Sequence, residues 1–220
     1  MDRMSIAQEY FLLAVDEETG IFPPLHRGEC QAGLVAAGVM DLLEGHVAQM
    51  ERKTITILGS LPDQLTFLQP LYQYLQQKPR TGERMMGDYL ASTGGRIKEL
   101  TASIGRSLVA IGAAEEGSGG LFGNKPVYLP KKSGKEETVA RIRAVLNQDG
   151  GWTDRDLALL CILQETKTLA LYLSPEESGR WKERLKAIRR DPHNRHLADL
   201  IHYLDDLTAV MAAVMMMWSV

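Results

Sequence analysis

The sequence predicts a mainly α-helical protein, a central helical bundle ringed by amphipathic helices, with one or two short β-hairpins, in a single domain spanning 1–220. Three observations predict it. Helix starts are marked by capping residues, several stretches are apolar on every side over helical lengths, and helical spacing yields to alternation or clustered glycine in only two places.

The first helix starts at Ser5-Ile-Ala-Gln8, a capping box in which the serine hydroxyl and the glutamine amide meet free N–H groups. It should run through Phe11, Leu12 and Val15 and stop near Gly20. Gly33 to Leu43 is apolar almost all round, the mark of a central helix. His46–Met50 and Thr54–Leu58 flank Glu51-Arg52-Lys53, and the β-branched alternation of the second segment reads as a hairpin. A second hairpin is expected where Gly117-Ser-Gly-Gly120, Leu121, Phe122 and Gly123 lead through Lys125 into Val127-Tyr128-Leu129-Pro130. Ser133–Glu136 and Thr153–Asp156 are further helix starts, the first opening a stripe of Val139, Ile142, Val145 and Leu146. Leu157 to Leu173 is again apolar on all sides. Ser174-Pro175-Glu176-Glu177 opens the next helix with proline at its first position. Trp181, Leu185 and Ile188 share one face of it. Asp191-Pro192 repeats that grammar, and Leu204 to Met217 reads as another central helix.

Composition is that of an ordinary globular chain, 45% apolar and 24% charged. The net charge of −3 argues against a nucleic-acid partner, since such proteins draw much of their affinity from neutralising phosphates. Two isolated cysteines, Cys30 and Cys161, lack metal spacing and fit a reducing compartment. No secretory or other targeting segment is expected. The longest apolar run, Ala209 to Val220, is about half the ~20 residues that span a bilayer, so the protein is expected to lie on a membrane at most.

Residues suited to chemistry are few. Arg96, Lys98 and Arg106 fall on one predicted helix, with Lys98 and Arg106 in one quadrant two turns apart and Arg96 on another side. They suit a phosphate group, and the plainer reading is a solvated face. Lys125, Lys131, Lys132 and Lys135 surround the apolar hairpin, an arrangement suited to an anionic membrane, and the alternative is a hairpin packed on its own domain or on a partner chain. Arg180, Lys182, Arg184, Lys186, Arg189 and Arg190 make a basic side of the Trp181 helix, diluted by Glu176, Glu177, Glu183 and Asp191. His193, His196, His202, Asp199, Asp205 and Asp206 match no zinc spacing, so no metal is expected. Cys30 with His26 lacks a third catalytic group, and Gly117–Gly120 lacks a nucleotide-loop pattern, so neither an enzyme nor a cofactor is expected.

The order of these elements resembles the Golgi phosphoprotein 3 family, in the shorter form found in many bacteria. SIAQEYFLLAVDEETG is similar to its opening helix, and AGLVAAGVMDLLEGHVAQME to its small-residue helix and following strand. RSLVAIGAAEE resembles the segment before its apolar hairpin. GWTDRDLALLCILQETKTLALYLSPEESGRWKERLKAI resembles the next central helix and linker. The resemblance covers roughly residues 4–217. It implies the helical fold above, and it implies recognition of phosphatidylinositol 4-phosphate, which eukaryotic members hold with a tryptophan and three arginines. The resemblance also implies that the hairpin serves both membrane contact and self-association. Ungapped alignment puts Leu25 at the tryptophan, and Leu34, Lys98 and Thr101 at the arginines. Only Lys98 keeps the charge, and lysine lacks the planar fork that grips phosphate. Arg27, Arg96 and Arg106 lie close enough in sequence to compensate.

The expectation is a non-catalytic, cytoplasmic, peripheral membrane protein binding anionic phospholipid head groups. Lys98, Arg96, Arg106 and Arg27 are its head-group candidates. Leu121, Phe122, Lys125, Val127, Tyr128 and Leu129 are its membrane-contact or homo-oligomer hairpin. The alternative is a cytoplasmic protein-interaction module that has lost phosphoinositide binding.

Overall fold

The structure is a computed structural model that describes residues 3–90, 95–120, 123–147 and 152–190. Its helices are α1 (Ile6–Ala14), α2 (Arg27–Glu44), α3 (Gln69–Gln76), α4 (Gly82–Leu90), α5 (Gly95–Ala110), α6 (Lys132–Asn147), α7 (Asp154–Glu165) and α8 (Pro175–Arg190). The strands are β1 (Ala48–Glu51), β2 (Thr54–Ile57), β3 (Arg80–Thr81), β4 (Ala114–Gly119) and β5 (Lys125–Pro130). They form a three-stranded antiparallel sheet in the order β1-β2-β3 and a separate β4–β5 hairpin. The fold class is therefore mainly α with short hairpins.

α1 is the centre. All nine of its residues are buried, and it packs on α2, α5, α6 and α7. Its capping box forms as the sequence dictates: Gln8 N–H donates to Ser5 Oγ, and Ser5 N–H donates to Gln8 Oε1 at 2.9 Å. A second cap comes from α2. Asp41 accepts the N–H groups of Ile6 (2.7 Å) and Ala7 (2.9 Å) on its two carboxylate oxygens. The acid inside an otherwise apolar stretch of α2 thus satisfies donors that burial would leave orphaned.

The polar residues of α1 and α7 meet in a buried ion network. Glu9 accepts from Arg141 (2.8 Å) and Arg155 (3.4 Å). Arg141 also pairs with Asp156, which Arg3 reaches at 2.7 Å and which closes the Thr153 capping box of α7. Burial pushes Glu9 above its usual range against the pull of the three arginines. Burial pushes Asp156 up as well, but the Thr153 hydrogen bond with Arg3 and Arg141 holds it below its ordinary value.

Several boundaries differ from expectation. The Leu157–Leu173 stretch is divided: α7 ends at Glu165, Lys167 takes a left-handed φ of 60°, and Thr168–Leu171 forms a 3-10 turn. α6 begins at Lys132, before the expected Ser133 start. The first hairpin turns at Arg52 and Lys53, both at positive φ (47° and 67°), and gains β3 as a third strand. Asp191-Pro192 and the Leu204–Met217 helix lie outside the described residues.

Candidate functional site

α5 carries the basic residues singled out in the sequence. Its apolar stripe, Ile97, Leu100, Ile104 and Leu108, is buried, which turns Lys98 and Arg106 outward. Both are exposed and make no ion pair or hydrogen bond among the described residues. Arg27, the first residue of α2, is likewise exposed and unpaired. Thr101, half-buried, spends its hydroxyl on the Ile97 carbonyl at 2.7 Å.

Arg96 is drawn elsewhere. Its guanidinium carbon lies 5.4 Å from the centre of the Tyr74 ring, and Arg80 lies over the same ring at 4.8 Å. Tyr74 donates to Asp88 at 2.8 Å, and Asp88 pairs with Arg84 at 3.1 Å. Burial and then Asp88 push the Tyr74 phenol up to about 12, so it stays a neutral donor. A cleft of about 160 Å³ beside this cluster is lined by Gln73, Gln77, Tyr89, Arg96 and Glu99. Lys98, Arg106 and Arg27 line none of the described clefts, so none of these clefts gathers the four head-group candidates.

The two other positions aligned to the family's head-group residues differ sharply. Leu34 is 0% exposed, inside the core on α2, and cannot meet a head group. Leu25 is 85% exposed, just ahead of α2.

The β4–β5 hairpin packs on α5, and its burial corrects one expectation. Tyr128 is 4% exposed, with its ring against Gly105 of α5, where a Cβ would fall 2.3 Å from ring carbons. It cannot contact a membrane or a second copy. Val127 and Leu129, on the other face, are half-buried against the turn at Gly20, a residue at φ 66°. Pairing of Gly117 with Val127 and Gly119 with Lys125 leaves the tip residues Gly123, Asn124 and Lys125 exposed. Leu121 and Phe122 lie outside the described residues.

The lysines that follow are mostly neutralised. Lys131 pairs with Glu115 (3.6 Å), Lys132 with Glu136 (3.9 Å) and Lys135 with Glu17 (3.7 Å). Three of the α8 cations are similarly engaged: Arg180 with Glu176, Lys186 with Glu183, and Arg184 over the Trp152 ring at 5.5 Å. Trp152 in turn stacks on buried Trp181. His193, His196, His202, Asp199, Asp205 and Asp206 are outside the described residues. Among the described residues no cluster of three potential metal ligands occurs, and no helix is long and apolar enough to cross a membrane. Cys30 and Cys161 are free and buried.

Sequence reasoning missed Asp41, Arg155 and the Tyr74 cluster. An acid at position 41, within a stretch otherwise apolar almost all round, is the available signal for the first. None of the curated proteins compared with the chain matches it. The model of one family, Golgi phosphoprotein 3, does match, over residues 6–204, and the chain therefore belongs to the Golgi phosphoprotein 3 family.

Proposed function

We propose that this protein is a non-catalytic, cytoplasmic protein that binds anionic phospholipid surfaces peripherally, through the outer face of α5 and the hairpin tip beside it. The observation that carries this is the contrast in pairing. Lys98, Arg106 and Arg27 are exposed without a described counter-charge, whereas Lys131, Lys132 and Lys135 beside the hairpin and Arg180 and Lys186 of α8 each have an acidic partner. The hairpin packs on α5 with the Tyr128 ring against Gly105, and its tip carries exposed Lys125. Each basic residue near an anionic leaflet contributes about 1 kcal/mol. Family membership supports the same reading.

Selectivity among anionic lipids should be weak. Phosphate recognition by a fork of guanidinium donors needs arginine, and the aligned positions hold core Leu34, Lys98 and Thr101. Co-sedimentation of the full chain at low salt tests the reading. Vesicles containing phosphatidylserine or phosphatidylinositol 4-phosphate at equal charge should both retain the protein, and zwitterionic vesicles should not. Indifference to both anionic vesicles would leave the protein-interaction module as the better reading.

A further inference from the structure

The three-stranded sheet has an unfinished edge. β3 pairs with β2 only at Thr54↔Thr81 and Ile55↔Arg80. Continued in that register, Thr56 would face Pro79 and Ile57 would face Lys78. Proline has no N–H to donate, so the ladder stops there. The chain before Pro79 instead runs back to the end of α3 at Gln76.

Which groups this leaves open follows from the alternation of an antiparallel strand. Leu58 N–H donates to Val47 of the β1 side at 2.8 Å, and the Lys53 carbonyl accepts from Gly82 on the β3 side at 3.3 Å. Odd-numbered residues of β2 therefore present both backbone groups toward β3. Ile57 does so beyond the point where β3 ends. The gap is a cleft of about 400 Å³, bordered by Thr56 to Ser60 on one side and Lys78 and Pro79 on the other. Its floor is braced by Gln76 donating to Tyr72 Oη and Tyr72 Oη donating to the Gly59 carbonyl, both at 3.1 Å. Leu58, 57% exposed, stands at its rim. Lys78 is the one charged residue in the lining, and it has no described partner.

We propose that this cleft is a docking slot for an extended, acidic peptide segment of a partner protein, which continues the ladder from β3. The incoming backbone exchanges a pair of hydrogen bonds with Ile57, an apolar side chain covers Leu58, and a carboxylate meets Lys78. Strand addition of this kind draws affinity from the main chain and specificity from alternate side chains. The slot lies in the β1-β2-β3 sheet, and the assignment does not depend on the membrane reading.

Amide exchange of the full chain tests the free state. The Ile57 amide should exchange much faster than that of Ile55, which β3 covers. Selection from a displayed library of random seven-residue peptides, followed by titration of a synthetic winner, tests the ligand. Winners should be acidic, should protect the Ile57 amide on binding, and should lose about tenfold in affinity when the pairing N–H is methylated, as expected for a lost backbone hydrogen bond. Lys78→Glu, an exposed change that spares the fold, should turn the selection toward basic peptides. The proposal is overturned if Ile57 is as protected as Ile55 in the free protein, if no peptide is selected, or if winners have the same charge with Lys78→Glu as without it.

Discussion

Replacing Asp41 with asparagine should alter stability in a pH-dependent way whose sign follows from its burial. Asp41 is 2% exposed and caps α1 through two N–H groups. Burial raises its carboxyl from 3.8 to about 6, against the opposing pull of the Ala7, Ser5 and Ile6 hydrogen bonds and of Arg155. A carboxyl raised on folding holds its proton more tightly in the folded than in the unfolded chain. Its contribution is then fully present below about pH 4 and is lost as pH climbs through about 6. A shift of about two units at 1.36 kcal/mol each corresponds to roughly 3 kcal/mol. Glu9 and Asp156 also titrate, but they are common to both proteins and largely cancel in the difference. Urea denaturation of wild type and Asp41→Asn between pH 4.5 and 7.5 measures it. The stability advantage of wild type over the variant should shrink by roughly 2 kcal/mol across that range. An advantage that is flat with pH, or that grows with it, would refute the reasoning, because it would mean the fold favours the ionised cap.

Two other changes probe the supports of the candidate surface. Gly105→Ala places a methyl group against the Tyr128 ring, and overpacking of this kind should cost about 1–3 kcal/mol in urea denaturation and speed proteolysis of the hairpin; unchanged stability would show that the hairpin is not seated there. Arg141→Met removes the cation shared by buried Glu9 and Asp156, leaves them Arg155 and Arg3, and should cost about 1–3 kcal/mol, as losing hydrogen bonds to buried charged groups does. A loss under about 1 kcal/mol would show the network to be self-sufficient without it.

How much of this could be read from the sequence depends on whether the signal is local. The Ser5–Gln8 and Thr153–Asp156 caps are local hydrogen-bond devices and form as read. The buried Trp181 and Leu185 follow from helical spacing alone. The interruption after Glu165 was hidden because apolar composition does not distinguish one long helix from a helix, a left-handed Lys167 and a 3-10 turn. β3 was invisible because two residues carry no periodicity. Tyr128 was misassigned for a tertiary reason: an apolar loop residue between lysines looks membrane-facing until Gly105 supplies the flat seat for its ring. Arg96 was rightly separated from Lys98 and Arg106 by helical angle, but its aromatic partner comes from α3, and nothing in the local sequence announces it.

The membrane account is tested most directly by charge reversal on the unpaired cations alone. Lys98→Glu with Arg106→Glu should leave the urea midpoint close to wild type, because neither side chain has a described partner to lose. Retention on phosphatidylserine vesicles at low salt should fall by roughly fivefold or more per residue, from about 1 kcal/mol for each lost charge. Added salt should erase the difference. A folded double variant that sediments with anionic vesicles as fully as wild type would contradict the account.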